Sequence, residues 1–202
     1  MKVKIVFYSM FGHTYKMAMA VAEGAREVQG AEVELLQVPE LSPVEVLKQS
    51  GADKARQAFA HIPVAQISDL LDADALIFGA PNHFANVCAQ MRNFIDQTGK
   101  LWQESALAGK VGSVFICSGG QHSGLEVAIT NCLLELLDHG MIIVGLTPRD
   151  MPKVLELSGS SPFGAGTISG LDGSRMPSEQ ELAAARAQGR RVATIAKKLA
   201  KS

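Results

Sequence analysis

The chain alternates short apolar runs with longer stretches in which apolar residues recur every three to four positions. Five runs stand out, at residues 2–8, 32–38, 73–78, 111–117 and 141–146. Most are nearly continuous, the pattern of strands covered on both faces in a parallel sheet. Residues 14–28, 86–97, 125–138 and 179–198 carry helical spacing between and after them. Gly30 offers a stop for the first helix, and Pro177-Ser178-Glu179 gives a start signal for the last. Strands alternating with helices of this length predict βαβ crossovers and a doubly wound α/β sheet of five parallel strands, order 2-1-3-4-5, with helices on both faces. No repeat or low-complexity linker interrupts the pattern, so residues 1–202 read as one domain. Two insertions depart from it. Residues 39–68 contain a short helical piece around 53–60, and residues 147–177 are rich in Gly, Ser and Pro without a period. A stretch of that kind in a compact domain is usually functional or packed on a partner.

Composition changes the picture in three ways. Hydrophobic content of 47% and charged content of 19% belong to a globular protein. A net charge of −1 removes any electrostatic reason to expect nucleic acid or an anionic membrane surface as a partner. No apolar stretch approaches the roughly 20 residues of a bilayer span, and the opening run reads as a strand rather than a signal peptide. Cys88, Cys117 and Cys132 are odd in number, form no CxxC pair and sit in apolar runs. They read as small buried hydrophobes in a reducing compartment, which predicts a cytoplasmic protein with no metal site.

Three segments carry candidate chemistry. Ser9, Met10, Phe11, Gly12, His13 and Thr14 follow the first strand and open the first helix. There, converging backbone amides, the helix N-terminus and two hydroxyls suit a phosphate monoester; the plain alternative is an ordinary capped turn. The hexapeptide has neither GxGxxG nor GxxxxGK[ST], so no dinucleotide or triphosphate fingerprint is present. Residues 79–86 include Pro81, Asn82, His83 and Phe84, which could face a planar ligand or simply end a strand. Ser118, Gly119, Gly120, Gln121, His122 and Ser123 form a glycine-rich loop, permissive of close backbone approach or merely flexible. All three lie past the carboxyl ends of strands one, three and four, where open α/β sheets bind ligands. Their shared placement favours one site.

With these motifs, the chain resembles the WrbA-type NAD(P)H:quinone oxidoreductases, the tetrameric branch of the flavodoxin-like flavoproteins. The likeness extends through residues 90–99, Leu101-Trp102, and the run from Pro162 to Gly170, Asp172-Gly173-Ser174-Arg175, Pro177-Ser178 and Ala185-Arg186. It implies a flavodoxin-like fold and FMN as cofactor. By the same likeness the first loop would hold the ribityl phosphate, Pro81 to Phe84 would lie along the isoalloxazine, and Ser118 to Ser123 would border its pyrimidine side. His139 would reach the flavin of a neighbouring subunit, whereas on its own it reads as a histidine capping a helix end. Phe11 and Trp102 would line the substrate position. Asn82 and His83 depart from the family, which commonly has threonine and arginine there.

The resemblance further implies two-electron, ping-pong reduction of a quinone by NADH or NADPH in a homotetramer, with no acid–base dyad. The alternative is an FMN electron carrier of the flavodoxin kind without NAD(P)H activity. The near-neutral charge and the two insertions weigh against that carrier.

Overall fold

The computed structural model describes residues 1–150 and 159–200. Its central sheet contains β1 (Lys2–Phe7), β2 (Glu32–Gln37), β3 (Ala75–His83), β5 (Val111–Ser118) and β6 (Ile142–Ile143), in the order β2-β1-β3-β5-β6. Every neighbouring pair on that path is parallel, so the five expected strands stand in the expected order. Alternate side chains of the central strands feed two cores. Val3, Ile5, Phe7, Ile77 and Phe115 pack with α1 (His13–Arg26) and α7 (Glu179–Leu199) on one face. Val6, Leu76, Phe78, Val114 and Ile116 pack with α4 (Ala89–Asp96) and α6 (Leu125–Asp138) on the other. Burial on both faces explains why the runs were continuous.

Three expectations are corrected. The run at 141–146 is a strand over Ile142–Ile143 only, because Val144 and Leu146 turn into the α1–α7 core and Leu146 N–H donates to Pro162 O at 2.8 Å. The vacated half of the β5 edge is taken by β7 (Gly166–Ile168), which pairs parallel with Ile116, Cys117 and Ser118. The fifth strand is thus split, and the sheet gains a strand from the segment read as aperiodic; residues 151–158 of that segment lie outside the described residues. Residues 79–86 are not a loop throughout. β3 continues to His83 and returns through β4 (Asn86–Val87), which displaces the start of the helix expected at 86–97 to Ala89. In the 39–68 insertion, α3 (Ala52–Arg56) and a 3-10 turn (Gln57–Phe59) occupy the expected helical piece. Neither α2 (Val44–Ser50), where Leu47 alone is buried, nor α5 (Gly99–Gln103) was expected from the apolar pattern.

Helices α1 and α7 approach backbone to backbone. A Cβ on Gly24 would lie 1.8 Å from Arg186 O, and one on Gly189 would lie 1.9 Å from Val21 O. Gly189→Ala therefore forces the helices apart. We expect a loss of about 3 kcal/mol, the upper end of overpacking costs, read as a lower urea midpoint with an unchanged slope.

Candidate functional site

The carboxyl ends of β1, β3 and β5 open into a cavity of about 660 Å³, within the range of small-molecule sites. Strand order reverses here: β1 and β3 are neighbours in the sheet, but their connections leave to opposite sides. The first segment supplies Ser9, Met10, Phe11, His13 and Thr14 to the wall. Gly12 precedes α1 with φ +93°, a conformation costly for other residues, and its N–H donates to Ser9 Oγ at 3.1 Å. Among the described residues, the N–H groups of Met10, Phe11, His13 and Thr14 have no acceptor. Four free amides at a helix N-terminus are suited to an anion.

The second segment supplies Pro81, Asn82 and His83, and the third Ser118 and Gly119, with Cys117 beside them. Asn82 Nδ2 donates to Ser118 Oγ at 3.0 Å and Ser123 O at 2.7 Å, so it ties the two segments together. Its Oδ1 is buried and lacks any donor among the described residues. A buried acceptor left unmet costs about 1–3 kcal/mol.

Other expected residues lie elsewhere in the isolated chain. Phe84 projects fully into solvent at the hairpin tip. Gln121 and His122 line a separate depression with residues 124–127 and Gly159. His139 caps the far end of α6, whose 14 residues place it about 20 Å from the cavity edge. Thr98 Oγ1 donates to Ile95 O at 2.6 Å and so accepts from His139 Nε2 at 2.8 Å. His139 Nδ1 is buried without a partner among the described residues, and desolvation holds the imidazole pKa below its ordinary value. Trp102, half-exposed, donates to Asp138 O at 3.1 Å. These two residues form their own cluster.

Two acids, Glu40 partly buried and Glu181 fully buried, set the side walls, and neither was singled out from the sequence. Glu40 accepts from Tyr8 Oη at 2.8 Å, Gln90 Nε2 at 3.0 Å and the Leu41 and Ser42 amides at 2.9 Å, and pairs with Arg56 at 3.1 Å. Arg56 also donates to Ser9 O at 2.8 Å, which connects α3 to the first loop. Burial opposes the Glu40 charge, but these donors outweigh it and hold the pKa below the usual carboxylate range. Burial, with Glu40 alongside, pushes the Tyr8 phenol up. The only early hint was polar side chains in a segment otherwise lacking a strong pattern.

Glu181 has no exposed surface. It accepts from Thr167 Oγ1 at 2.9 Å, Ser178 N–H at 2.8 Å, Ile168 N–H at 3.2 Å and Gly159 N–H at 3.3 Å. Arg175 pairs with it at 3.0 Å. Desolvation would raise its pKa, yet the Ser178 amide, Arg175 and Thr167 together lower it. The anchored segment, residues 169–173 with Met176, forms the outer wall, and Gly173 O meets His13 Nε2 at 3.0 Å. The Ser178–Glu181 capping box was half visible as the helix start signal.

Three side chains at or beside the cavity are poor proton carriers. Burial pushes the Cys117 thiol up to about 12, and Glu40 and Tyr8 are committed to each other. What it offers is a donor-rich anion end, a bed of small polar groups and an unmet acceptor.

A family described as NADPH-dependent FMN reductase matches residues 1–146. Proteins named NAD(P)H dehydrogenase (quinone) from Aromatoleum aromaticum and Trichlorobacter lovleyi are each 57% identical to the chain, over 98% of its length and 97% and 98% of theirs. Among solved structures, a WrbA-like flavodoxin of Agrobacterium tumefaciens matches with TM-score 0.65 at 24% identity, over 98% of both chains. A flavodoxin from the domain Archaea matches with TM-score 0.65 at 18% identity, over 98% of this chain and 99% of that one. The last two likenesses are of fold.

Two predictions follow from the walls. The folded pKa of Glu181 lies below its unfolded value, so its contribution to stability is present above about pH 4.3 and is lost as pH falls through the folded pKa. Urea unfolding at pH 6 and pH 3 should show a steeper acid loss for wild type than for Glu181→Gln. The hairpin tip Phe84-Ala85 has φ +53° and +61° at two non-glycine residues. Ala85→Gly relieves one of them and should raise stability by about 1 kcal/mol.

Proposed function

The chain belongs to the NAD(P)H dehydrogenase (quinone) family, and from that premise we propose that it is an FMN-dependent NAD(P)H:quinone oxidoreductase. The observation that carries the reading is the cavity's polarity. Four unpaired amides and the Ser9 and Thr14 hydroxyls gather at the α1 end, and an uncommitted acceptor lies across the β3–β5 end. A ligand with a phosphate at one end and a heteroaromatic ring at the other fits that arrangement. Bound FMN supplies the two-electron redox chemistry that links an NAD(P)H donor to a quinone acceptor.

Ser9, Met10, Gly12, His13 and Thr14 hold the phosphate through amides and hydroxyls. Pro81, Asn82 and His83 border the ring, with Ser118 and Gly119 on the β5 side. Phe11, partly exposed at the cavity wall, offers a ring face to the nicotinamide or quinone. Gln90, Tyr8 and Arg56 keep the first loop in place through Glu40 and Ser9 O. The outer wall at residues 169–173 keeps water from the ring.

The working unit is a homotetramer of single-domain chains in the cytoplasm. Val127, Leu134 and Leu137 make an exposed apolar stripe along α6, and Phe84 and Trp102 add to the uncovered surface. His139 stands too far from its own cavity to serve it, which supports a role at a neighbour's. Three free buried cysteines suit a reducing compartment. Among the described residues no helix is long and apolar enough to cross a membrane.

The test is anaerobic stopped-flow of FMN-loaded protein with NADH or NADPH, then benzoquinone, following flavin absorbance. Rapid bleaching by one nucleotide and fast recovery with quinone is the expected outcome and identifies the donor. FMN binding without bleaching by either nucleotide would leave the one-electron carrier as the function.

A further inference from the structure

Among the described side chains that line the cavity, Asn82 has a buried polar atom left without a partner. Both amide hydrogens of its Nδ2 are used, on Ser118 Oγ and Ser123 O. Rotating the carboxamide by a half turn would set its oxygen against the Ser123 carbonyl oxygen, so the orientation is fixed. Oδ1 is left buried, beside a cavity, with no donor among the described residues. Such a group asks for a ligand N–H or O–H.

Resting on the reading that the cavity takes FMN, we infer that Asn82 Oδ1 accepts a hydrogen bond from N3–H of the isoalloxazine. Two facts of chemistry and placement select that atom. N3–H is the only N–H on the oxidised ring; N1, N5 and both carbonyl oxygens are acceptors and would repel Oδ1. The ribityl hydroxyls adjoin the phosphate and therefore the β1 end. Asn82 instead leans on the last residue of β5 and on Ser123 beyond it, two strands and about 10 Å from β1. The clamp by Ser118 and Ser123 fixes the acceptor before the ligand arrives, which makes Asn82 a specificity determinant for a pyrimidine-type ring edge.

The test compares FMN with N3-methyl-FMN, which lacks this donor, by quenching of flavin fluorescence on apo-protein. Wild type should bind the methylated flavin at least tenfold more weakly. Asn82→Leu, close in shape but without the acceptor, should lose about five- to tenfold in FMN affinity, and its penalty for N3-methylation should shrink by the same factor. N3–H is present in both oxidation states, so the midpoint potential should hardly move. Equal affinity of wild type for the two flavins overturns the assignment, whether or not the variant folds. A tenfold change in preference for the reduced flavin, about 30 mV, without coupling at N3 would move the acceptor to another ring atom and overturn it too. Failure of wild type to bind FMN at all would instead strike at the function itself.

Discussion

A carboxylate with no exposed surface must find its donors inside the protein, and the way Glu181 finds them decides where the outer wall of the cavity stands. Its donors come from Gly159, Thr167, Ile168, Arg175 and Ser178, pieces of chain with no other common element. Taking a charge out of water costs several kcal/mol unless nearly every lone pair is met. The segment is therefore held less by apolar burial than by this acid: Leu171, at its tip, is almost wholly exposed. Arg175 adds to the anchor by donating to Ile168 O, and Ser169 N–H reaches Ser118 O at 2.8 Å. The last strand, the last helix and the cavity wall thus share one buried charge.

Glu40 does on the opposite side what Glu181 does on this one. It draws Tyr8 from the end of β1, Gln90 from α4 and Arg56 from α3 into one network, and Arg56 passes the constraint to the first loop through Ser9 O. Arg56 also lies over the rings of Tyr8 and Phe59, at 5.6 and 5.5 Å, which fixes its guanidinium plane. Each acid is saturated by donors. Neither is free to move protons at the cavity, and the high thiol pKa of Cys117 removes another reactive group. A site so built can position a ligand firmly while leaving the bond-making to the ligand, which is the division of labour expected of a flavoprotein.

The main sheet was legible because burial on both faces writes itself as continuous apolar runs, and the first and third loops because they follow those runs. Gly12 and Gly124 prove to be helix N-caps with positive φ, a role not assigned to them from the sequence. The split fifth strand was not legible. Gly166-Thr167-Ile168 is too short to show a period, while the apolar residues at 144 and 146 that suggested a longer strand serve the helix-facing core. Nor were Glu40 and Glu181 legible as wall anchors, since their partners lie up to 50 and 22 residues away along the chain. Asn82 could be placed near a ligand from its position just past the third apolar run. That its oxygen, not its nitrogen, would be left over depends on where Ser118 and Ser123 fall.

The hairpin joining β3 to β4 links the cavity edge to α6. Two non-glycine residues with positive φ are held at its tip by Asn131 Nδ2, which donates to Ala85 O at 2.9 Å, and by Gly124, where a Cβ would come within 2.8 Å of Ala85. The strain is thus imposed by α6, the same helix that carries the exposed Val127, Leu134 and Leu137. Holding the hairpin there keeps Asn82 within reach of the third loop and sets Phe84 outward on the neighbouring surface. A strained turn persists only when its surroundings over-determine it. Here the surroundings include both the cavity edge and an uncovered apolar face, so a subunit covering α6 would bear on the same hairpin that orients Asn82, and assembly and ligand geometry would be coupled through that one turn.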